Sequence, residues 1–197
     1  APATMTVVTS EVLTTTPASG LNGVFRVIVS PDGNFVYTAA YDSDSVCTFT
    51  RNAADGKLTW SMCVSSAVYL NSGTDVALMP DGKHLLASAF NSDSVAVFER
   101  NTQSGFINFT EIISRGATVP WLDGARGVVA HPSGKAAYAT GFNDDAVVTL
   151  RVGNLKPVVN TLSPASRVAG SGAFTLTVTG ADFSPNSSVR IHGADRP

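Results

Sequence analysis

Apolar residues in this chain come in short runs, and no stretch sustains the 3.6-residue period of an amphipathic helix. The first set is Val24-Phe25-Arg26-Val27-Ile28-Val29, Asn34-Phe35-Val36-Tyr37-Thr38-Ala39-Ala40, Val46-Cys47-Thr48-Phe49-Thr50-Arg51 and Leu58-Thr59-Trp60-Ser61-Met62-Cys63-Val64. β-Branched and aromatic residues fill these runs, and Gly, Asp, Asn or Ser bound them, which predicts four strands. A second set follows in the same order: Asp75 to Leu78, His84 to Ala89, Val95 to Arg100 and Phe106 to Ile112. A third set has Val128 to Ala130 and Ala146 to Val152. The first run of each set is almost continuously apolar, as in a strand packed on both faces. The last run, Leu58-Thr59-Trp60-Ser61-Met62, alternates, as in an outer strand with one wet face.

The turns between runs repeat as closely as the runs. Ser30-Pro31-Asp32-Gly33, Met79-Pro80-Asp81-Gly82 and His131-Pro132-Ser133-Gly134 each separate a first run from a second. Proline presets φ at the second turn position, Asp bonds locally to the backbone, and Gly takes the positive φ that closes the corner. The prolines stand 49 and then 52 residues apart, a period near that of four-stranded propeller blades. A plain β-sandwich is the alternative, but it does not explain strands, turns and loops recurring three times in one order. The expected fold class is all-β: three propeller blades in a partial or oligomer-completed ring, followed by a partial immunoglobulin-like sandwich.

Ser30-Pro31-Asp32-Gly33-Asn34-Phe35-Val36-Tyr37 with Asp42-Ser43-Asp44-Ser45-Val46, and Met79 to Leu86 with Asn91 to Phe98, resemble blades of the lactonase-like seven-bladed propellers. The resemblance covers roughly residues 4 to 155. It implies a blade more firmly than a reaction, because related blades occur in lactonases, muconate-cyclising enzymes and non-catalytic bacterial surface proteins. From Lys156 the pattern changes. Pro157 to Ser166, Gly170 to Phe183 and Ser187 to Gly193 are similar to the opening strands of an IPT/TIG immunoglobulin-like domain. About three strands fit where such a sandwich takes about seven. The expected domains are therefore 1–155, propeller blades, and 156–197, an incomplete IPT/TIG-like segment.

Thr4 to Val12 aligns with the outer strand of a blade, while the third set lacks its fourth strand, so strand exchange between the ends is expected. Three blades fall short of the four to eight usual for a ring. Either two copies pair into a homo-oligomer, or further blades of a longer chain are missing.

A formal charge of −2 with 14% charged residues gives no basic footprint for nucleic acid, and no apolar run reaches membrane-span length. The Ser-, Thr-, Asn- and Gly-rich surface suggests an extracellular or cell-surface protein. Cys47 and Cys63 are the two cysteines, on the third and fourth strands of one blade. Counting back from a hairpin that pairs 52 with 58 sets them opposite each other. They are disulfide candidates, the alternative being two buried thiols in different registers. No metal site and no cofactor is expected: the histidines, His84, His131 and His192, are scattered, and the carboxylates between second and third strands come two or three per loop, too few for calcium. Catalytic motifs of zinc and serine hydrolases are absent.

The candidate site lies at the start of the first strands. There the aligned positions are Phe25, Thr74 and Arg126, then Arg26, Asp75 and Gly127. Arg126 resembles an arginine that lactonase-like propellers often place in the axial funnel. Arg26, Asp75 and Arg126 are candidates for contacting a small anionic or carbohydrate ligand, or for ordinary ion pairs beside the channel. Trp121 offers a stacking platform or an interblade wedge, and Asp123 is a further carboxylate. The first functional expectation is a non-catalytic scaffold binding protein or ligand; the alternative is a lactonase or related cyclase acting on a sugar-acid lactone, its catalytic residues unknown apart from a water-activating Asp75 or Asp123.

Overall fold

The computed structural model describes residues 20–151, 158–166, 175–181, 189–191 and 194–196. Its contacts divide the chain into two units that meet between Arg151 and Val152. In the first unit, β1 (Val24–Val29), β2 (Phe35–Ala40), β3 (Ser45–Arg51) and β4 (Leu58–Ser65) form one antiparallel sheet in sequence order. A second such sheet holds β5 (Gly73–Leu78), β6 (His84–Ala89), β7 (Ser94–Arg100) and β8 (Ile107–Ser114). The third consists of β9 (Ala125–Ala130), β10 (Ala136–Gly141) and β11 (Ala146–Arg151). These are three blades of an all-β propeller. The proposed outer strand at 4–12 lies outside the described residues.

The predicted turn chemistry is visible in each blade. Gly33, Gly82 and Gly134 take φ of 73°, 65° and 71°, the left-handed backbone that closes the corner. Asp32 Oδ1 accepts from the Ser30 hydroxyl and the Asn34 N–H, and Asp81 Oδ1 from the Lys83 and His84 N–H groups. In the third turn Ser133 substitutes, its Oγ accepting from the Lys135 N–H. His84 and His131 serve these same turns, against Asp81 and Ser133 respectively.

The core lies between blades. Tyr37 and Val46 of blade 1 pack with Val76, Leu85, Phe98 and Ile107 of blade 2. Arg100 closes one end of this seam. Its buried guanidinium donates to Tyr37 Oη at 2.6 Å, to the Gly82 carbonyl at 2.7 Å and to Asp32 Oδ2 at 2.7 Å, beneath the rings of Phe35 and Tyr37. Cys47 and Cys63 face each other across β3 and β4 and are disulfide-bonded. One first strand departs from expectation. β1 leaves Val24, Phe25, Val27 and Val29 exposed, because the face that blade 1 shows to β5 from blade 2 is covered and its other face meets no blade among the described residues.

In the second unit β12 (Val158–Ser163) pairs with β13 (Thr177–Ala181), and β14 (Val189–Ile191) with β15 (Ala194–Arg196), both antiparallel. The Thr161 and Thr179 hydroxyls bond across the first pair. His192 lies outside the described residues.

Candidate functional site at the inner strands

The innermost strands β1, β5 and β9 lie side by side, and all three break register near their first residues. On β1 the pairing jumps from Val24–Ala40 to Arg26–Ala39, and on β5 from Gly73–Ala89 to Asp75–Ser88. On β9 Ala125 faces Gly141 and Val128 faces Ala139, so Arg126 and Gly127 share the single partner Thr140. Such a bulge turns a side chain out of the ordinary alternation. The residues so displaced are Phe25, Thr74 and Arg126.

Thr74 turns inward, its hydroxyl donating to the Ala125 carbonyl of the next blade at 3.2 Å. Arg126 turns outward. Its guanidinium carbon stands 4.9 Å from the centre of the Phe142 ring and 6.0 Å from that of Phe25. Phe142 neighbours Phe90 at 6.0 Å, and Phe25 neighbours Tyr41 at 6.5 Å. One cation is thus set in an aromatic rim drawn from all three blades, with its charge over ring faces.

Beside Phe25, Arg26 pairs with Asp75: Nε to Oδ1, 2.9 Å. The same Oδ1 accepts the Val76 N–H at 2.9 Å, and Oδ2 accepts the Val128 N–H at 3.1 Å. Asp75 therefore ties β1, β5 and β9 together. Three of its roughly four acceptor positions are used, which leaves one on Oδ2. Arg26, Asp75 and Gly127 also border an open trough of about 570 Å³ along these strands.

Asp123 is held elsewhere. Its Oδ2 lies 3.3 Å from Arg115, and its Oδ1 accepts from the Asn143 amide at 2.7 Å. Arg115 also reaches Asp144 and donates to the Pro120 carbonyl, so this cluster fixes the loop from 115 to 124. In that loop Leu122 is buried as an anchor while Trp121 exposes its ring. Gly141 makes the loop's approach feasible, since a Cβ there would stand 2.5 Å from the Trp121 carbonyl oxygen.

The structure thus brings Arg26 to Asp75 and sets Arg126 beside Phe25, the residue adjacent to Arg26. It gives Asp123 to a loop-fixing network and Trp121 to the surface. Two features escaped the sequence reading, the aromatic rim and Arg115. The rim has a signal: Tyr41-Asp42, Phe90-Asn91 and Phe142-Asn143 recur immediately after β2, β6 and β10. Arg115 has none, because its loop does not recur.

Residues 2–120 match the family described as Lactonase, 7-bladed beta-propeller. Among curated proteins none matches the chain. Solved structures share the fold. A candidate 6-phosphogluconolactonase of Bacteroides fragilis is 23% identical, with a TM-score of 0.58 over 67% of this chain and 35% of that one. A functionally unknown protein of Desulfotomaculum acetoxidans gives 20% identity and a TM-score of 0.56, over 68% and 41%. The periplasmic gluconolactonase of Pseudomonas aeruginosa gives 20% and 0.54, over 67% and 40%. The chain therefore spans between about a third and two fifths of the length of these structures.

Proposed function

The chain belongs to the family of seven-bladed β-propeller lactonases, and from that premise we propose that it forms part of the ligand funnel of an enzyme that hydrolyses a sugar-acid lactone. The family match favours this reading over the non-catalytic scaffold that was the first functional expectation. The observation that carries it is Arg126, exposed at the upstream end of the innermost strands and ringed by Phe25 and Phe142. A guanidinium beside apolar ring faces suits a small oxygen-rich anion whose carbon skeleton lies against the rings.

In lactone hydrolysis a water oxygen adds to the ring carbonyl carbon, the bond from that carbon to the ring oxygen breaks, and the water's proton ends on the released hydroxyl. Asp75 is the base in this proposal. Its free acceptor position on Oδ2 orients the water, while Arg26 and two backbone N–H groups hold the carboxylate in place. Arg126 holds the substrate's carboxyl oxygens or another anionic group. Trp121, whose ring is exposed, is proposed as a further flat surface for a sugar ring.

The test is titration of acid release from glucono-δ-lactone at constant pH. Turnover above the solvent rate is expected, reduced on the order of a hundredfold or more in Asp75→Asn. In Arg126→Ala, KM should rise about tenfold or more, with the fold intact. Wild-type protein that releases acid no faster than buffer would contradict the reading.

We further propose that the protein is exported, which the Cys47–Cys63 disulfide supports. For 156–197 we propose an IPT/TIG-like module on its sequence motifs alone. Its partners, like those of the propeller, are proposed to be protein or carbohydrate rather than nucleic acid.

A further inference from the structure

The joint between blades 1 and 2 and the joint between blades 2 and 3 each hold a phenylalanine with the same backbone clamp. The Phe90 and Asn91 N–H groups donate to the Ser72 and Asn71 carbonyls at 2.9 and 3.1 Å, and the Phe142 and Asn143 N–H groups to the Gly124 and Asp123 carbonyls, both at 3.1 Å. The side chains around the clamp differ. At the first joint they are neutral: Ser92 Oγ accepts the Asn71 N–H at 2.9 Å, and the Asn91 amide donates to Asn71 Oδ1 at 3.4 Å. At the second, Asp144 stands in place of Ser92 and Asp123 in place of Asn71. Asp144 Oδ2 accepts the Asp123 N–H at 2.8 Å, and the Asn143 amide donates to Asp123 Oδ1 at 2.7 Å. Ionised acceptors make the shorter and stronger bonds.

Two carboxylates on one clamp repel each other. Arg115 supplies the compensating charge, 3.3 Å from Asp123 and 3.8 Å from Asp144. It occupies the place of Ser66 at the first joint: the Ser66 N–H donates to the Asp44 carbonyl and the Arg115 N–H to the Asp93 carbonyl, both at 2.9 Å. What the charged clamp holds is Phe142. That residue is 53% exposed, so packing alone holds it weakly, and of the two rings beside the Arg126 guanidinium it is the nearer, at 4.9 Å against 6.0 Å for Phe25.

The geometry points to Arg115 as a positioning residue: by compensating Asp123 and Asp144 it holds the Phe142 ring against the Arg126 guanidinium, and so sets the direction in which that guanidinium meets an anion. That the anion is a sugar acid rests on the lactonase reading. The control of Phe142 by Arg115 does not.

Proton NMR of the Arg126 side chain tests it, because the ring current of Phe142 displaces those protons from their usual shifts. Phe142→Leu defines the signals with that ring removed. Arg115→Ser, at a partly exposed site and so compatible with folding, should move the Arg126 signals most of the way to the Phe142→Leu values, while the amide signals of β1 to β4 stay in place. Arg115→Lys, which keeps the charge, should remain near wild type. Combining Arg115→Ser with Asp123→Asn and Asp144→Ser rebuilds the neutral clamp of the first joint and should restore the signals with no cation at position 115. In turnover of glucono-δ-lactone, Arg115→Ser should raise KM about threefold or more with kcat unchanged, and should add nothing in a Phe142→Leu background. Arg126 signals that keep their wild-type values in Arg115→Ser, a displacement that Arg115→Lys does not reverse, or a rise in KM that persists undiminished in Phe142→Leu would each overturn the proposal. A wild type without turnover would contradict the lactonase reading alone, since the Arg126 signals judge Arg115 with no substrate present.

Discussion

Replacing Asp32 by Ala should destabilise the propeller unit by about 2 to 3 kcal/mol, because it strands the Arg100 guanidinium at the seam between blades 1 and 2. The Arg100 side chain is almost wholly buried, and among the described residues Asp32 is the one carboxylate that it meets, at 2.7 Å. Removing one member of a fully buried pair costs about 3 to 5 kcal/mol. Here the figure is lower, since Asp32 is about a third exposed and water can follow it out. Arg100 also keeps its bonds to Tyr37 Oη and the Gly82 carbonyl. Adding Arg100→Met should recover about 1 kcal/mol or more, because no buried charge then remains to be neutralised. Urea unfolding followed by circular dichroism measures both. The sign with pH is also fixed. Partial burial pushes the Asp32 carboxyl up, but bonds from the Ser30 hydroxyl, Arg100 and the Asn34 N–H, with the Arg100 charge, outweigh it and bring the pKa from 3.8 down to about 2. A depressed carboxylate contributes stability above its unfolded pKa and loses it as pH falls through the folded value. The contribution, about 1 to 2 kcal/mol after allowance for screening by solvent, should therefore vanish between about pH 4 and pH 2. Asp32→Asn should flatten that part of the profile. A loss below about 0.5 kcal/mol in Asp32→Ala, or a double variant no more stable than the single, would refute the reasoning.

Further outcomes follow from other contacts. Intact mass of unreduced protein should lie two hydrogens below that of the reduced chain, and reduction of the Cys47–Cys63 bond, which closes a sequence separation of 16, should cost roughly 3 kcal/mol by urea unfolding. Gly141→Ala should destabilise by about 1 to 3 kcal/mol, since its Cβ meets the Trp121 backbone, whereas Gly33→Ala, with open space around it but φ of 73°, should cost nearer 1 kcal/mol. Asp93→Ala should loosen the joint at Gly124 and raise amide exchange for 122–125 without altering exchange in β1 and β2.

The blade was legible in the sequence because its determinants are local. Proline, aspartate and glycine act within the turn that they occupy, and the apolar runs bound their own strands. Contacts that cross between blades were less legible. Arg100 looks like any strand-end arginine until the fold brings Asp32 of the preceding blade to it, 68 residues away. Cys47 and Cys63 depend on a similar subtlety. The hairpin pairs Arg51 with Leu58, one place off the simple count, and a bulge between Thr48 and Phe49 restores the alignment that sets the cysteines opposite each other. At the site, Asp75 and Arg126 stood out because they occupy recurring positions. Asp123 looked equivalent to Asp75 in chemistry, yet Arg115 and Asn143 claim it through a loop that occurs once. The aromatic rim was missed because Phe25 lies on a first strand and Phe142 follows a second one, and it is the Arg126 guanidinium, on its bulge, that stands beside both rings.

The most direct test of the central claim, a ligand funnel at the upstream ends of the innermost strands, is amide chemical-shift mapping of the protein titrated with the stable acid that lactone hydrolysis would release. The largest shifts should fall on Phe25 and Arg26, on Asp75 and Val76, and on Arg126 to Val128, and they should disappear in Arg126→Ala. Shifts confined to the turns at Pro31, Pro80 and Pro132, or unchanged by that substitution, would contradict it.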